Sequence, residues 1–206
     1  MAVLCQTTVA VQLKRAALPS ETQRSLNNMQ IRPGSLLIAH PAHNRSERRS
    51  QVIYITESNP HSTLGLVLNQ VVKSLDLRGI MSEQGIHWNG DSRVYRGGHN
   101  NPNALVMLHT DEWYSSNTMQ VEGRFSISSD RTMIEKLEMG NEPLWYRLFM
   151  GFEAWDASEL EHQLRIRKPK WLLLPKPSQA LLELADRNLW QNAVAEYSQD
   201  VFANYI

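Results

Sequence analysis

Two histidines, His40 and His43, stand three residues apart in the stretch SLLIAHPAHNRSERRSQVIYI, residues 35–55, with Arg45, Arg48 and Arg49 behind them. Imidazoles at that spacing could share a metal ion. Guanidiniums suit a phosphate or carboxylate, because they are planar two-pronged donors. Zinc wants three or four ligands, and no cysteine or His-Glu-x-x-His element backs this pair. A third ligand would have to come from His99, and only if the fold brought it close. No metal is therefore expected. Arg45 and Arg48 read as charges on a solvated turn. Arg49, beside Ser50 at a strand entrance, is the better candidate for a site or a structural anchor.

Other polar residues offer single pieces of chemistry. Gly97 and Gly98 follow a short apolar run, and paired glycines let backbone amides approach an anion. There is no G-x-G-x-x-G and no Walker lysine, so a tight turn requiring positive φ is the plainer reading. His109 ends another apolar run. A partnership with Ser50 or Ser35 would make a nucleophile, but no G-x-S-x-G elbow is present; a histidine hydrogen-bonded at a sheet end is the simpler role. Asn69 could read a ligand or satisfy loop backbone. No catalytic residue and no cofactor is assigned. The run RIRKPKWLLLPK, residues 165–176, has five positive charges and no acid. Arg165, Arg167, Lys168 and Lys170 could track a phosphate backbone with Trp171 to stack. Equally, they could be a loop and a helix end, where cations are favoured.

The elements that must position these residues are legible in the apolar pattern. Residues 1–30 read as an arm, punctuated by Pro19, Asn27-Asn28 and Pro33-Gly34 around its end, before a domain spanning 31–206. Ser35–Ala39, Gln51–Thr56, Leu64–Leu68, Val94–Arg96, Ala104–His109, Gly123–Ser128, Leu144–Met150 and Trp171–Leu174 read as strands. Gly65 inside the third suggests a bulge or a close backbone approach. Ser74 could cap a helix over Leu75–Glu83, and Asp130 one through Glu138 that Gly140 ends. Asp156 with Glu159 forms a capping box, and Leu160 and Leu164 share a face behind it. From Ser178 the tail is helical, broken near Asp186–Asn188, with Leu189, Ala193 and Tyr197 on one stripe. Strands and helices mix without strict alternation, which predicts an α+β domain with a mixed, largely antiparallel sheet flanked by helices.

Composition bounds the function classes. Twenty-one basic and twenty-one acidic residues give a formal net charge of zero, so nucleic acid or membrane binding would need a local patch. Cys5 is the only cysteine. It excludes an intrachain disulfide and fits a reducing, cytoplasmic setting. No apolar run approaches the ~20 residues a membrane helix needs.

Six stretches in order, LLIAHPAH, RRSQVIYI, LGLVLNQ, RGGH, LVMLHT and MGFEAWDASELEHQL, resemble the AlgH/YqgE family of small bacterial, plant and phage proteins. The family pattern has Leu-(Ile/Val)-Ala-x-Pro, Arg-Ser-Val, Gly-(Ile/Leu)-(Ile/Val)-Asn, Gly-Gly-Pro, Leu-His and Gly-Tyr-x-x-Trp-x-x-x-Gln-Leu. In this chain the proline of Gly-Gly-Pro is His99, and Gln-Leu is Glu159-Leu160. The resemblance implies an α+β fold with a mixed sheet. It implies no catalytic residue. Family members are known as proteins of uncharacterised function, or as regulators of transcription by association with alginate control.

The expected function is a non-enzymatic binding or regulatory protein working through a protein partner. An enzyme or small-anion binder is the alternative, its pocket built at the strand ends from His40, His43, Arg49, Asn69, Gly97, Gly98, His99 and His109. Direct DNA binding through the basic run comes third, since no helix-turn-helix pattern accompanies it.

Overall fold

Strand β8, Tyr146–Asp156, is the axis of the structure, and its eleven residues let it pair with β4 and β5 over its first half and with β3 over its last four residues. The computed structural model describes residues 30–43, 50–75, 77–83, 88, 93–183 and 186–205. The expected arm, and Arg45, Arg48 and Arg49, lie outside the described residues. Residues Ile31–Ile206 form one compact unit.

The remaining strands are β1 (Leu36–Ala39), β2 (Val52–Ser58), β3 (Ser62–Val67), β4 (Val94–Arg96), β5 (Asn100–Thr110), β6 (Met119–Gln120), β7 (Phe125–Ser128) and β9 (Trp171–Leu174). They run in the order β6-β7-β5-β8-β3-β2-β1-β9. All these neighbours are antiparallel. β4 alone is parallel, on β8, through Val94↔Leu148 and Arg96↔Met150. The fold is thus α+β with a mixed, largely antiparallel sheet. Leu148 pairs with both Val94 and Met107, so β4 and β5 flank β8 on opposite edges. Past Met150 the chain turns at Gly151, φ +69°, and β8 then pairs with β3 from Glu153 to Asp156. A left-handed residue mid-strand curls the sheet there, and glycine adopts it without a Cβ penalty.

Period-two burial explains the layers. Leu36 and Ile38 face a cluster with Tyr54, Leu66 and Phe149, closed by Leu181, Leu182, Leu189 and Ala193. Those last four come from the short helix α4 (Gln179–Leu182) and the long helix α5 (Asp186–Tyr205). Leu37 and Ala39 face the opposite cluster, with Ile53, Ile55, Val67, Trp155, Trp171 and Leu160. Leu160 belongs to α3 (Ala157–Arg165). A third cluster packs α1 (Leu77–Glu83) and α2 (Arg131–Glu138) on Met107 and Leu148. Among the described residues no helix is long and apolar enough to cross a membrane.

Most expected elements are present, and the differences have physical causes. Asp130 caps α2 as expected, its carboxylate accepting from Met133 N–H. Asp156 occupies the cap position of α3 but makes no side-chain cap bond. Ala157 N–H instead donates to the His61 carbonyl, and Glu159 accepts from Gln163 Nε2, so the capping box is not closed. β5 begins at Asn100, directly after His99, rather than at Ala104, because its pairing to β8 absorbs an irregularity between Asn100 and Leu105. The bulge suspected at Gly65 lies across from it, between Ile55 and Glu57 of β2. β6, two exposed residues at a sheet edge, has no sequence signature.

Candidate functional site

At the opening stretch the polar groups close turns. His40 N–H donates to the Lys170 carbonyl at 3.0 Å, which ties β1 to the strand entrance of β9. Its Nδ1 accepts from Ala42 N–H at 3.1 Å, closing the short 3-10 turn Pro41–His43. Asn69 clamps the entrance of β2: Val52 N–H donates to its Oδ1 at 3.1 Å, and its Nδ2 donates to the Ser50 carbonyl at 2.6 Å. Ser50 has φ +58°, so the clamp holds a non-glycine residue in the left-handed region. His40, Ser50 and Asn69 therefore share one end of the sheet, joined through backbone.

Gly97 and Gly98 lie elsewhere and do something different from either expectation. Neither is among the residues with positive φ. Both are buried against β8: a Cβ on Gly97 would lie 2.2 Å from the Gly151 carbonyl oxygen, and one on Gly98 2.0 Å from the Phe152 carbonyl carbon. The Gly97 N–H donates to the Met150 carbonyl. These glycines permit backbone-on-backbone packing rather than cradling an anion. His99, next in sequence, sets its Nδ1 2.5 Å from Glu153 Oε1.

His109 is fully buried and both ring nitrogens are bonded. Nδ1–H donates to the Thr110 carbonyl at 2.9 Å, so Nε2 accepts from Ser128 Oγ–H at 2.9 Å. Ser128 Oγ in turn accepts from Thr118 Oγ1 at 2.7 Å. Thr118 Oγ1 accepts from Ser115 N–H, and Ser115 Oγ donates to Asp130. Trp113 seals the ring edge-on at 5.0 Å. A serine hydroxyl on a histidine Nε2 has the form of a nucleophile and its base. Here Ser128 is itself buried and the pair is a link in a polar strut between β5, β7 and the cap of α2. Burial would raise Asp130, but bonds from Met133, Ser115 and Asn117 outweigh it and hold the carboxyl below its usual range.

Burial holds His109 below the ordinary histidine value of 6.5, against the opposing influence of the Thr110 carbonyl and Glu112. A depressed folded value means that the unfolded chain takes up the proton first. The stability due to neutral His109 is then full above 6.5 and is lost as the pH falls through it. The thermal midpoint of the protein is expected to fall between about pH 7.5 and pH 5.5, one unit either side of the histidine value. His109→Gln is expected to flatten that slope, whatever it does to the absolute midpoint. An identical slope in the variant refutes the assignment.

Among the described candidates, His99 and His109 lie at different places along β8. His109 is in register with Tyr146 near the start of β8, whereas His99 bonds to Glu153 near its end. Of the basic run, Arg165 pairs loosely with Glu161 at 3.6 Å, and Arg167, Lys168 and Lys170 are exposed between α3 and β9.

One cavity is lined by residues the sequence did not single out. It measures about 370 Å³ and is bounded by Arg93, Tyr95, Glu142, Trp145, Arg147 and Glu183 among others. The Arg147 guanidinium lies 5.2 Å from the ring centroids of both Tyr95 and Trp145, and donates to the Leu68 carbonyl. The signal was faint: an arginine flanked by aromatics in LWYRLF reads as a strand, not as a floor. Leu144 belongs to that lining and is exposed, as are the large apolar side chains of Tyr114 and Met139.

A family model described as AlgH-like matches residues 36–201. A UPF0301 protein of Idiomarina loihiensis is 30% identical over 175 residues, covering 81% of this chain and 91% of the relative. A UPF0301 protein of Desulfotalea psychrophila is 28% identical over 153 residues, 73% of this chain and 80% of its own. The solution structure of the AlgH protein from Pseudomonas aeruginosa superposes with a TM-score of 0.65 at 21% identity, over 80% of this chain and 87% of that one. A crystal structure of a protein from Corynebacterium diphtheriae gives 0.64 at 18% identity, over 81% and 87%. At those identities the two structures establish the fold alone. With four-fifths of its length matched by the family model and a relative at 30% identity, the chain belongs to the AlgH-like family, a group of uncharacterised function.

Proposed function

We propose that the chain is a non-enzymatic binding or regulatory protein that works through protein contacts at the surface around Tyr114, Met139 and Leu144. One observation carries this reading: large apolar side chains that are 70%, 82% and 85% exposed stand on backbone that is tied down. Lys136 Nζ donates to the Tyr114 carbonyl at 2.6 Å and sits 4.2 Å over the Tyr114 ring. Trp113 Nε1 donates to Asn141 at 3.0 Å, and Leu144 N–H donates to Glu112 Oε1 at 2.7 Å. Three segments are thereby joined. Exposed apolar groups on preorganised backbone lower the ordering cost of association and mark interaction sites. Substituting Met139 and Leu144 together with Asp is expected to leave the thermal midpoint within a few degrees, since both side chains are solvated. It is expected to abolish recovery of a partner by cross-linking in native cells. Retention of the same cross-linked species by the double variant sinks the proposal.

A second reading is favoured by the cavity beside this surface, which has the size of a small-ligand site and two arginines in its lining. A small anion seated there would quench or enhance Trp145 fluorescence on titration. Direct DNA binding ranks below both. With zero net charge the exposed cations of the 165–170 loop are the available footprint. Gel-shift titration is expected to give weak, sequence-indifferent binding that vanishes by ~150 mM salt. Selective binding at that salt, lost on replacing Arg167, Lys168 and Lys170, reverses the ranking.

A further inference from the structure

We propose that His99 is a modification site, an imidazole whose Nε2 accepts a phosphoryl group from a donor with a P–N bond. The inference is independent of the protein-contact reading and rests on a different part of the molecule. The Glu153 side chain is 3% exposed and the His99 side chain 57% exposed, with Nδ1 and Oε1 2.5 Å apart. An ionised carboxylate only accepts, so Nδ1 carries the proton and donates, and in the neutral imidazole the lone pair is on Nε2. Among the described residues Nε2 has no hydrogen-bond partner. One ring nitrogen is thus anchored by a buried acid and the other is presented outward, the arrangement in which a third group orients a nucleophilic side chain.

The platform beneath is rigid. Gly97 and Gly98 lie on the Gly151–Phe152 backbone so closely that no Cβ fits at either. Glu153 is in register with Gly65 on β3, where no side chain stands opposite. Asn101, two residues on, has φ +44°, a left-handed non-glycine residue of the sort that gathers at functional sites. A metal is the weaker alternative, because no group of three or more potential ligands exists among the described residues.

The step balances with phosphoramidate as donor. The Nε2 lone pair attacks phosphorus, the new N–P bond forms, the donor P–N bond breaks, and ammonia leaves with the electron pair of that bond. The ring retains its Nδ1 proton and becomes cationic, a charge that the Glu153 carboxylate stabilises. No oxidant or reductant is involved.

Incubation of the whole protein with potassium phosphoramidate at neutral pH, followed by peptide mapping and phosphorus NMR, tests this. An acid-labile phosphoryl group is expected on His99 several-fold faster than on His61 or His162, which are also exposed. Glu153→Gln should remove that advantage, and His99→Gln should remove the label. Equal labelling of the three histidines, or a His99 advantage that survives Glu153→Gln in a folded variant, overturns the proposal. Should Glu153→Gln not fold, nitrogen NMR of the wild-type ring decides: a protonated Nδ1 and bare Nε2 are required, and the opposite tautomer refutes the site.

Discussion

Gly98→Ala is expected to prevent cooperative folding, or to cost at least ~3 kcal/mol, the upper end of what overpacking usually costs. The added Cβ would lie 2.0 Å from the Phe152 carbonyl carbon and 2.2 Å from Glu153 nitrogen. Both are backbone of the central strand β8, so no side-chain rotation relieves the overlap. Relief requires β4 and β8 to separate, and with them the Gly97–Met150 bond. Gly140→Ala is the control. Its φ is +74° with nothing within 4 Å of the added carbon, so it bears only the left-handed strain of ~1–2 kcal/mol. Urea unfolding of the two variants should differ sharply. Equal midpoints would show that β4 does not press on β8 as described.

Leu37→Ala and Ile53→Ala are each expected to cost ~2–4 kcal/mol, the range for buried aliphatic truncation. Both residues are 0% exposed and face each other in register across β1 and β2, inside the cluster with Trp155 and Trp171. That is a large fraction of the ~5–15 kcal/mol by which domains are stable. Because the two positions adjoin one another, the double variant should fall short of the sum of the singles. His40→Ala, just past the end of the same strand, removes a half-exposed turn contact and should cost under ~1 kcal/mol. A urea series with unchanged m-values would measure all four. Comparable losses at His40 and Leu37 would contradict the two-faced core.

The alternation of β1 and β2, the Asp130 cap of α2, the stop at Gly140 and the α+β class were legible in the residues alone. Each depends on period or on local hydrogen bonding, which neighbours in the chain dictate. The residues also carried enough ordered motif to point to the family. The uses of the polar residues were decided only by tertiary structure. Asn69 serves Ser50 and Val52, nineteen and seventeen residues away. His109 serves Ser128, and His99 finds Glu153 fifty-four residues later. Two glycines that a turn could have required are instead the contact of two backbones. No local pattern encodes such partners, because a side chain's chemistry depends on what the sheet order β5-β8-β3 brings beside it. The cavity at Arg147 illustrates the same cause: its lining joins β4, the approach to β8 and the end of α4, segments far apart in the chain.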